Sequence, residues 1–162
     1  MNIGLILAIL LPFLGSIFSR NIINTNITSW YALLRKPTWN PPKWLIRPVW
    51  SAIYVLIGYA SYLVYQERGH TMALVMYSVQ LLLVWSLSPI FFGLHNLRLA
   101  SYTSLALWMA VLGCCCSFYL LSTMAWMLFL PYLAWITFAT ILSIKIWQLN
   151  GDTPEFSQNQ KQ

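Results

Sequence analysis

The sequence predicts an all-α membrane protein: a bundle of five transmembrane helices with a Pro/Trp-rich loop between helices 1 and 2. Three observations carry that expectation. Of 162 residues, 59% are hydrophobic and only 7% are charged, whereas a soluble globular domain carries about 25%. The mean hydropathy is +0.66. Asp, Glu, Lys and Arg are absent from residues 1–19, 48–66, 69–97 and 99–144, and roughly 20 apolar residues suffice to cross ~30 Å of hydrocarbon. The last run would measure about 69 Å as one helix, more than two bilayer cores, so it must fold back once.

The first span covers about Ile3 to Ser19. Gly15, Ser16 and Ser19 keep a signal-peptide cleavage site open, but no basic residue precedes the apolar stretch, and four later spans need no leader, which favours a retained helix. The loop from Arg20 to Arg47 follows. Asn21, Asn24, Thr25, Asn26 and Ser29 should open it as irregular chain, and Trp30 to Leu34 can make a short interfacial helix. Pro37, Pro41 and Pro42 then favour an extended course. The second span runs from about Pro48, a favourable first helical position, to Gln66, with a tight turn at Glu67-Arg68-Gly69-His70. The third, about Met72 to Phe92, should be kinked or cut short by Pro89. A short loop from Gly93 to Arg98, a fourth span at about Leu99 to Leu121, a Ser122-Thr123 turn and a fifth span at about Ala125 to Leu149 complete a single domain over 1–149. Residues 150–162 read as a polar tail without order.

With five spans the basic residues sort by side. Arg20, Arg35, Lys36, Lys43, Arg47, Arg98, Lys145 and Lys161 fall on one, and Arg68 alone on the other. The positive-inside rule then places the long loop and the C-terminus in the cytosol. The net charge of +6 is accounted for by topology and lipid headgroups, and because the bases sit at span ends, nucleic acid is not an expected partner.

The catalytic inventory is nearly empty. The acids are Glu67 in a turn and Asp152 and Glu155 in the tail, so no carboxylate pair or proton relay lies at membrane depth. His70 and His95 fall on opposite faces and cannot share a metal. Cys114-Cys115-Cys116 point about 100° apart on a helix and cannot converge on one ion; they read as packing residues. No enzyme activity and no metal is expected. Asn26-Ile27-Thr28 matches a glycosylation acceptor but lies on the expected cytosolic side.

Aromatic residues are 16% of the chain, with 9 Trp. An interfacial belt accounts for those near span ends, such as Trp39, Trp44 and Trp147. It does not account for Trp50, Tyr54, Trp85, Trp108 and Trp135. Trp50 and Tyr54 share a helix face at i, i+4, leading from the loop into the bundle. A bundle so lined offers an apolar pocket suited to a polycyclic ligand, although plain helix packing explains the spacing equally well. Arg35, Lys36, Lys43 and Arg47 sit at the same end, where they can attract carboxylates on an otherwise apolar ligand such as a porphyrin, or anionic lipid.

These residues resemble the translocator protein family, also called peripheral-type benzodiazepine receptors or tryptophan-rich sensory proteins. The resemblance rests on the run from Trp30 to Trp44 (WYALLRKPTWNPPKW), then Pro48-Val49-Trp50 and Tyr54. It continues through Gly58 to Val64, Gln80-Leu81, Ser88 to Gly93, and Pro131-Tyr132-Leu133-Ala134-Trp135. It implies a five-helix bundle, commonly a homodimer, in the mitochondrial outer membrane or a bacterial membrane; the loop and the Pro-Tyr-Leu-Ala-Trp segment look closer to the animal members. It also implies binding of protoporphyrin IX and haem, of cholesterol in animal members, and a role in porphyrin or sterol movement, with the loop as a lid. The ligand pocket would map to Trp30, Tyr31, Pro41, Ile46, Trp50, Tyr54, Trp135, Ala139 and Leu142. Trp30 and Trp135 match tryptophans associated in bacterial relatives with light-dependent porphyrin breakdown. Three departures qualify this: Val84 stands where relatives commonly carry Asn, Leu99 replaces a Trp, and Ile144 and Gln148 occupy the Tyr and basic positions of the sterol motif, which is weak even when intact. A non-catalytic membrane scaffold, acting through small residues such as Gly58, Ala60 and Ser61, is the remaining alternative.

Overall fold

The structure, a computed structural model, describes residues 3–151. All but the first two residues of the 150–162 tail, with Asp152, Glu155 and Lys161, lie outside the described residues. The described chain is helical, with no strand: α1 (Ile3–Leu10), α2 (Phe13–Thr28), α3 (Trp30–Leu33), α4 (Lys43–Tyr65), α5 (Thr71–Ser88) with a π-helical turn (Pro89–Gly93), α6 (Leu97–Leu121) and α7 (Thr123–Asn150). Four stretches are long and apolar enough to cross a membrane: Lys43–Tyr65, Thr71–Gly93, Leu97–Leu121 and Thr123–Asn150. The chain is thus built as an integral membrane protein.

The N-terminal segment differs from the expected single span. Pro12 has no amide hydrogen to give to the carbonyl of Ala8, and the helix breaks there before resuming with Leu14 N–H donating to Leu11 O at 3.2 Å. The released carbonyl of Ala8 lies against α4 at Gly58, where a Cβ would fall 2.6 Å from Ala8 O and 2.7 Å from Ile9 Cα. Only glycine admits that approach. Beyond the break, α2 continues through Asn21, Asn24, Thr25 and Asn26, which the sequence placed in a loop. Part of this polarity is absorbed locally: Thr25 Oγ1 donates to Asn21 O at 3.0 Å and Asn26 Nδ2 to Ile22 O at 2.9 Å, each reaching back one turn. The irregular loop is therefore short, running from Leu34 to Pro42 beyond the expected short helix.

α4 begins at Lys43, five residues earlier than expected, and carries Pro48 in its interior. Pro42, extended at φ −65°, ψ 143°, sits at its N-cap. At the end of α5 the consequence of Pro89 is a widened turn, in which Leu94 N–H donates to Pro89 O at 3.0 Å across five residues. Asn96 starts α6, its Oδ1 accepting from Leu99 N–H at 2.9 Å. α6 and α7 form an antiparallel hairpin joined at Ser122. Trp108 Nε1 donates to Thr137 Oγ1 at 2.9 Å, Thr140 Oγ1 to Ser104 O at 3.2 Å, and Ser101 Oγ lies 3.4 Å from Ser143 Oγ, so the partner advances along α7 as the chain recedes along α6.

Tyr77, Phe118, Phe129 and Tyr132 pack ring to ring at 4.9–6.4 Å in the core. Tyr132 OH donates to Gln80 Oε1 at 2.7 Å, tying α7 to α5. Cys114 and Cys115 are buried and Cys116 exposed, as diverging helical positions require. Gly58, Ala60 and Ser61 are also buried within the chain. They do not form the surface that the scaffold alternative needs.

Candidate functional site

α1 packs against α4, whereas α2 leans onto α5 and the π-turn. The break at Leu11 and Pro12 thus separates α2 from α4, and a cavity of about 490 Å³ lies behind the gap, within the usual range for small-molecule sites. Phe13 and Tyr54 close one end with ring centroids 5.3 Å apart. At the other end the Arg47 guanidinium donates to Asn24 Oδ1.

Eight of the nine residues singled out by the sequence line this cavity: Tyr31, Pro41, Ile46, Trp50, Tyr54, Trp135, Ala139 and Leu142. Helical periodicity explains the grouping, since Ile46, Trp50 and Tyr54 stand at successive i, i+4 positions on α4 and Trp135, Ala139 and Leu142 on one face of α7. Trp30 is placed otherwise. It packs behind the wall, 4.3 Å from the ring of His95 and 5.6 Å from Phe91, which itself lines the cavity. Val84 is in the wall and buried, so an apolar side chain occupies that position. Trp135 Nε1 is buried with no hydrogen-bond partner among the described residues, an unused donor in the cavity wall.

Sequence reasoning missed the α2 wall: Phe13, Ser16, Arg20, Ile23 and Asn24. Their spacing of three and four is a helical signal, but it becomes legible only once α2 is known to continue past Arg20. Trp85 was noted without a role. It lines the cavity and donates from Nε1 to Pro12 O at 3.2 Å, and its indole occupies the space beside Gly15, where a Cβ would lie 1.9 Å from Trp85 Cδ1.

The loop closes one end through specific bonds. Tyr31 OH donates to Asn40 Oδ1 at 3.0 Å, and Asn40 Nδ2 to Pro41 O at 3.1 Å. Burial raises the Tyr31 hydroxyl pKa above its ordinary value. Asn150, at the end of α7, grips the loop backbone in both senses: Arg35 N–H donates to its Oδ1 at 2.9 Å and its Nδ2 donates to Arg35 O at 2.8 Å.

The basic residues divide differently from the sequence expectation. Lys43 and Arg47 line the cavity, joined by Arg20, whereas Arg35 and Lys36 do not. Lys36 turns back onto α3, where Nζ donates to the carbonyls of Tyr31 (2.7 Å), Leu34 (2.9 Å) and Ala32 (3.3 Å), satisfying the open end of a helical turn. Partial burial, and Lys43 nearby, lower its pKa.

Among the described residues, no three His, Cys, Asp or Glu side chains gather as a metal site. His95 shares a 3.1 Å hydrogen bond with Asn26 Oδ1, and His70 lies at the opposite end of α5 with Nδ1 2.6 Å from Glu67 O. The arrangement offers shape, aromatic faces, a few polar handles and positive charge.

A model of the TspO/MBR family matches residues 8–148. The chain is 37% identical over 146 residues to the translocator protein of Homo sapiens, covering 87% of this chain and 86% of that protein. It is 37% identical over 126 residues to the tryptophan-rich sensory protein of Cereibacter sphaeroides, covering 78% and 80%. To the tryptophan-rich protein TspO of Chlorobaculum tepidum it is 34% identical over 153 residues, covering 91% and 92%.

Proposed function

The chain belongs to the TspO/MBR family, and on that premise we propose that it is a non-enzymatic membrane receptor or carrier that takes a porphyrin, protoporphyrin IX or haem, into the cavity between α2, α4 and α7. The observation that carries this reading is the wall itself: Tyr31, Trp50, Tyr54, Trp85, Phe91, Trp135 and Phe138 around about 490 Å³. Flat aromatic faces suit a flat conjugated ring. Relatives named translocator and tryptophan-rich sensory protein support a role in moving or sensing such a ligand. Cholesterol is a second ligand class, with less support here. Leu142 lines the cavity, whereas Ile144 is half-buried and Lys145 and Gln148 are exposed, so the altered sterol motif does not present one surface.

In the same proposal α1 and α2 together make the fifth crossing, since 26 residues span about 39 Å as helix. The loop acts as the lid of the cavity. The loop and C-terminus face the cytosol, the protein acts as a homodimer, and its membrane is the mitochondrial outer membrane, with a bacterial membrane as the alternative. A porphyrin-degrading activity is a second reading, favoured by one observation, the unpartnered Trp135 N–H in the cavity wall. Trp30, its supposed partner, packs behind that wall.

Titration of the protein in lipid nanodiscs with protoporphyrin IX, read by quenching of Trp emission, tests the proposal, with cholesterol titrated in parallel. Saturable quenching is expected, and about tenfold weaker binding in Trp50→Ala, the scale of one lost aromatic contact. Absence of saturable quenching by the wild type overturns the receptor reading, and unchanged affinity in Trp50→Ala moves the site elsewhere.

A further inference from the structure

Asn150, the last residue of α7, is followed by Gly151, whereas every other asparagine of the chain precedes Ile, Thr, Pro, Leu or Gln. Asparagine is chemically labile, most of all before glycine, whose backbone nitrogen no Cβ shields. That nitrogen can attack the asparagine Cγ. The N–Cγ bond forms, the Cγ–Nδ2 bond breaks, and ammonia leaves. Water then opens the resulting succinimide at either carbonyl, giving aspartate or isoaspartate. The reaction needs no oxidant or reductant, and base speeds it by removing the glycine amide proton.

The structure restrains both reacting groups. Gly151 N–H donates to Trp147 O at 2.8 Å. Asn150 Oδ1 accepts from Arg35 N–H at 2.9 Å, and Nδ2 donates to Arg35 O at 2.8 Å and to Ile146 O at 2.7 Å. Ring closure must break these bonds and turn ψ of Asn150 away from the helical value of about −42°. Two of the three side-chain bonds run to the loop between α3 and α4, so the amide is freed when that loop lifts from α7.

The product cannot remake the contact. An ionised carboxylate accepts hydrogen bonds and donates none, so both Nδ2 bonds are lost and the carbonyl oxygens of Arg35 and Ile146 face a negative charge. That charge stands at the C-terminus of α7, where the helix dipole disfavours it. The Arg35 side chain is exposed, and an ion pair formed in water returns little. Isoaspartate also adds a methylene to the backbone. The loop so released carries Pro41 of the cavity wall.

We propose that Asn150 is a modification site: it deamidates through Gly151 when the loop opens, and its conversion to aspartate or isoaspartate unlatches the loop from α7. The chemistry is independent of what the cavity binds.

The test follows Asn150 by peptide mass spectrometry across residues 146–161 after incubation of the protein in nanodiscs in mildly alkaline buffer. The same peptide, released beforehand by trypsin and incubated alongside, is the unrestrained reference. Intact protein should convert at least about fivefold more slowly than the peptide, and Arg35→Pro, which deletes one latch donor, should recover about fivefold. Leu34 is already extended at φ −65°, ψ 141°, as a residue before proline requires, and unchanged amide exchange in α5 to α7 certifies that this variant is folded. Asn150→Asp should speed amide exchange over residues 34–40 about fivefold. No conversion in the free peptide overturns the site. Equal rates in peptide and intact protein, or in wild type and folded Arg35→Pro, overturn the restraint by the loop. Unchanged loop exchange in Asn150→Asp overturns the unlatching.

Discussion

Replacing Gly58 by alanine should loosen α1 from α4. The added Cβ would stand 2.6 Å from Ala8 O, 2.7 Å from Ile9 Cα and 3.2 Å from Ala8 C, all backbone atoms that no side-chain rotation can clear. Normal contact is about 3.5 Å, so α1 must retreat by nearly an ångström along the line where its broken turn meets α4. Overpacking of this kind costs about 1–3 kcal/mol, and the rigid neighbours put this case at the upper end. Alanine gains about 1 kcal/mol over glycine inside a helix, which leaves a net loss of about 2 kcal/mol. Gly113, in mid-α6, is the control, because a Cβ there meets nothing within 4 Å; Gly113→Ala should keep the propensity gain of up to about 1 kcal/mol. Unfolding of both variants in detergent, followed by Trp emission, reads the difference directly. A Gly58→Ala protein as stable as Gly113→Ala would refute the close approach of α1 to α4 and, with it, the account of how the break at Pro12 opens the cavity.

Two further predictions concern the loop. Asn150→Ala removes both bonds to the Arg35 backbone. Amide exchange over residues 34–40 should accelerate about fivefold, taking roughly 1 kcal/mol for the exposed pair, and unchanged exchange there would show that the loop is held by other contacts. Tyr31 is held protonated by burial, so its folded pKa exceeds the unfolded value of about 10. The stability it contributes is complete below that value and is lost as pH rises through the folded pKa. A spectrophotometric tyrosine titration of the wild type minus Tyr31→Phe should show a late-titrating hydroxyl; a hydroxyl ionising near pH 10 contradicts the packing of the loop.

Hydrophobic content and the charge-free runs were sufficient for the helical membrane class, because only a chain that crosses lipid tolerates such long stretches without charge. The four later spans were legible to within about five residues, since the Glu67 to His70 turn, Pro89 and the Ser122-Thr123 turn lie at most of their ends, whereas the start expected at Pro48 fell five residues late. Trp50 and Tyr54 could be grouped by helical spacing, whereas Ile46, Trp135, Ala139 and Leu142 came only with the family resemblance; the structure lines one cavity with all six. The N-terminal third was read less well: Asn21 to Asn26 look like loop residues by composition, yet the side chains of Thr25 and Asn26 bond back to carbonyls one turn earlier and the helix persists.

What the sequence by itself determined is therefore the solvent of the fold and the faces of its long helices, properties set by local composition and by the 3.6-residue period. Tertiary structure alone decided which cations face the cavity and where Trp30 goes. Lys36 was drawn onto the carbonyls of α3 and Trp30 onto His95 and Phe91, while Arg20, which the sequence assigned to a loop, came to line the cavity along with Lys43 and Arg47. These outcomes depend on how α2 diverges from α4 after Pro12, an angle fixed by Gly58 admitting the backbone of α1. The contact joins residues about fifty positions apart, beyond the reach of local sequence pattern.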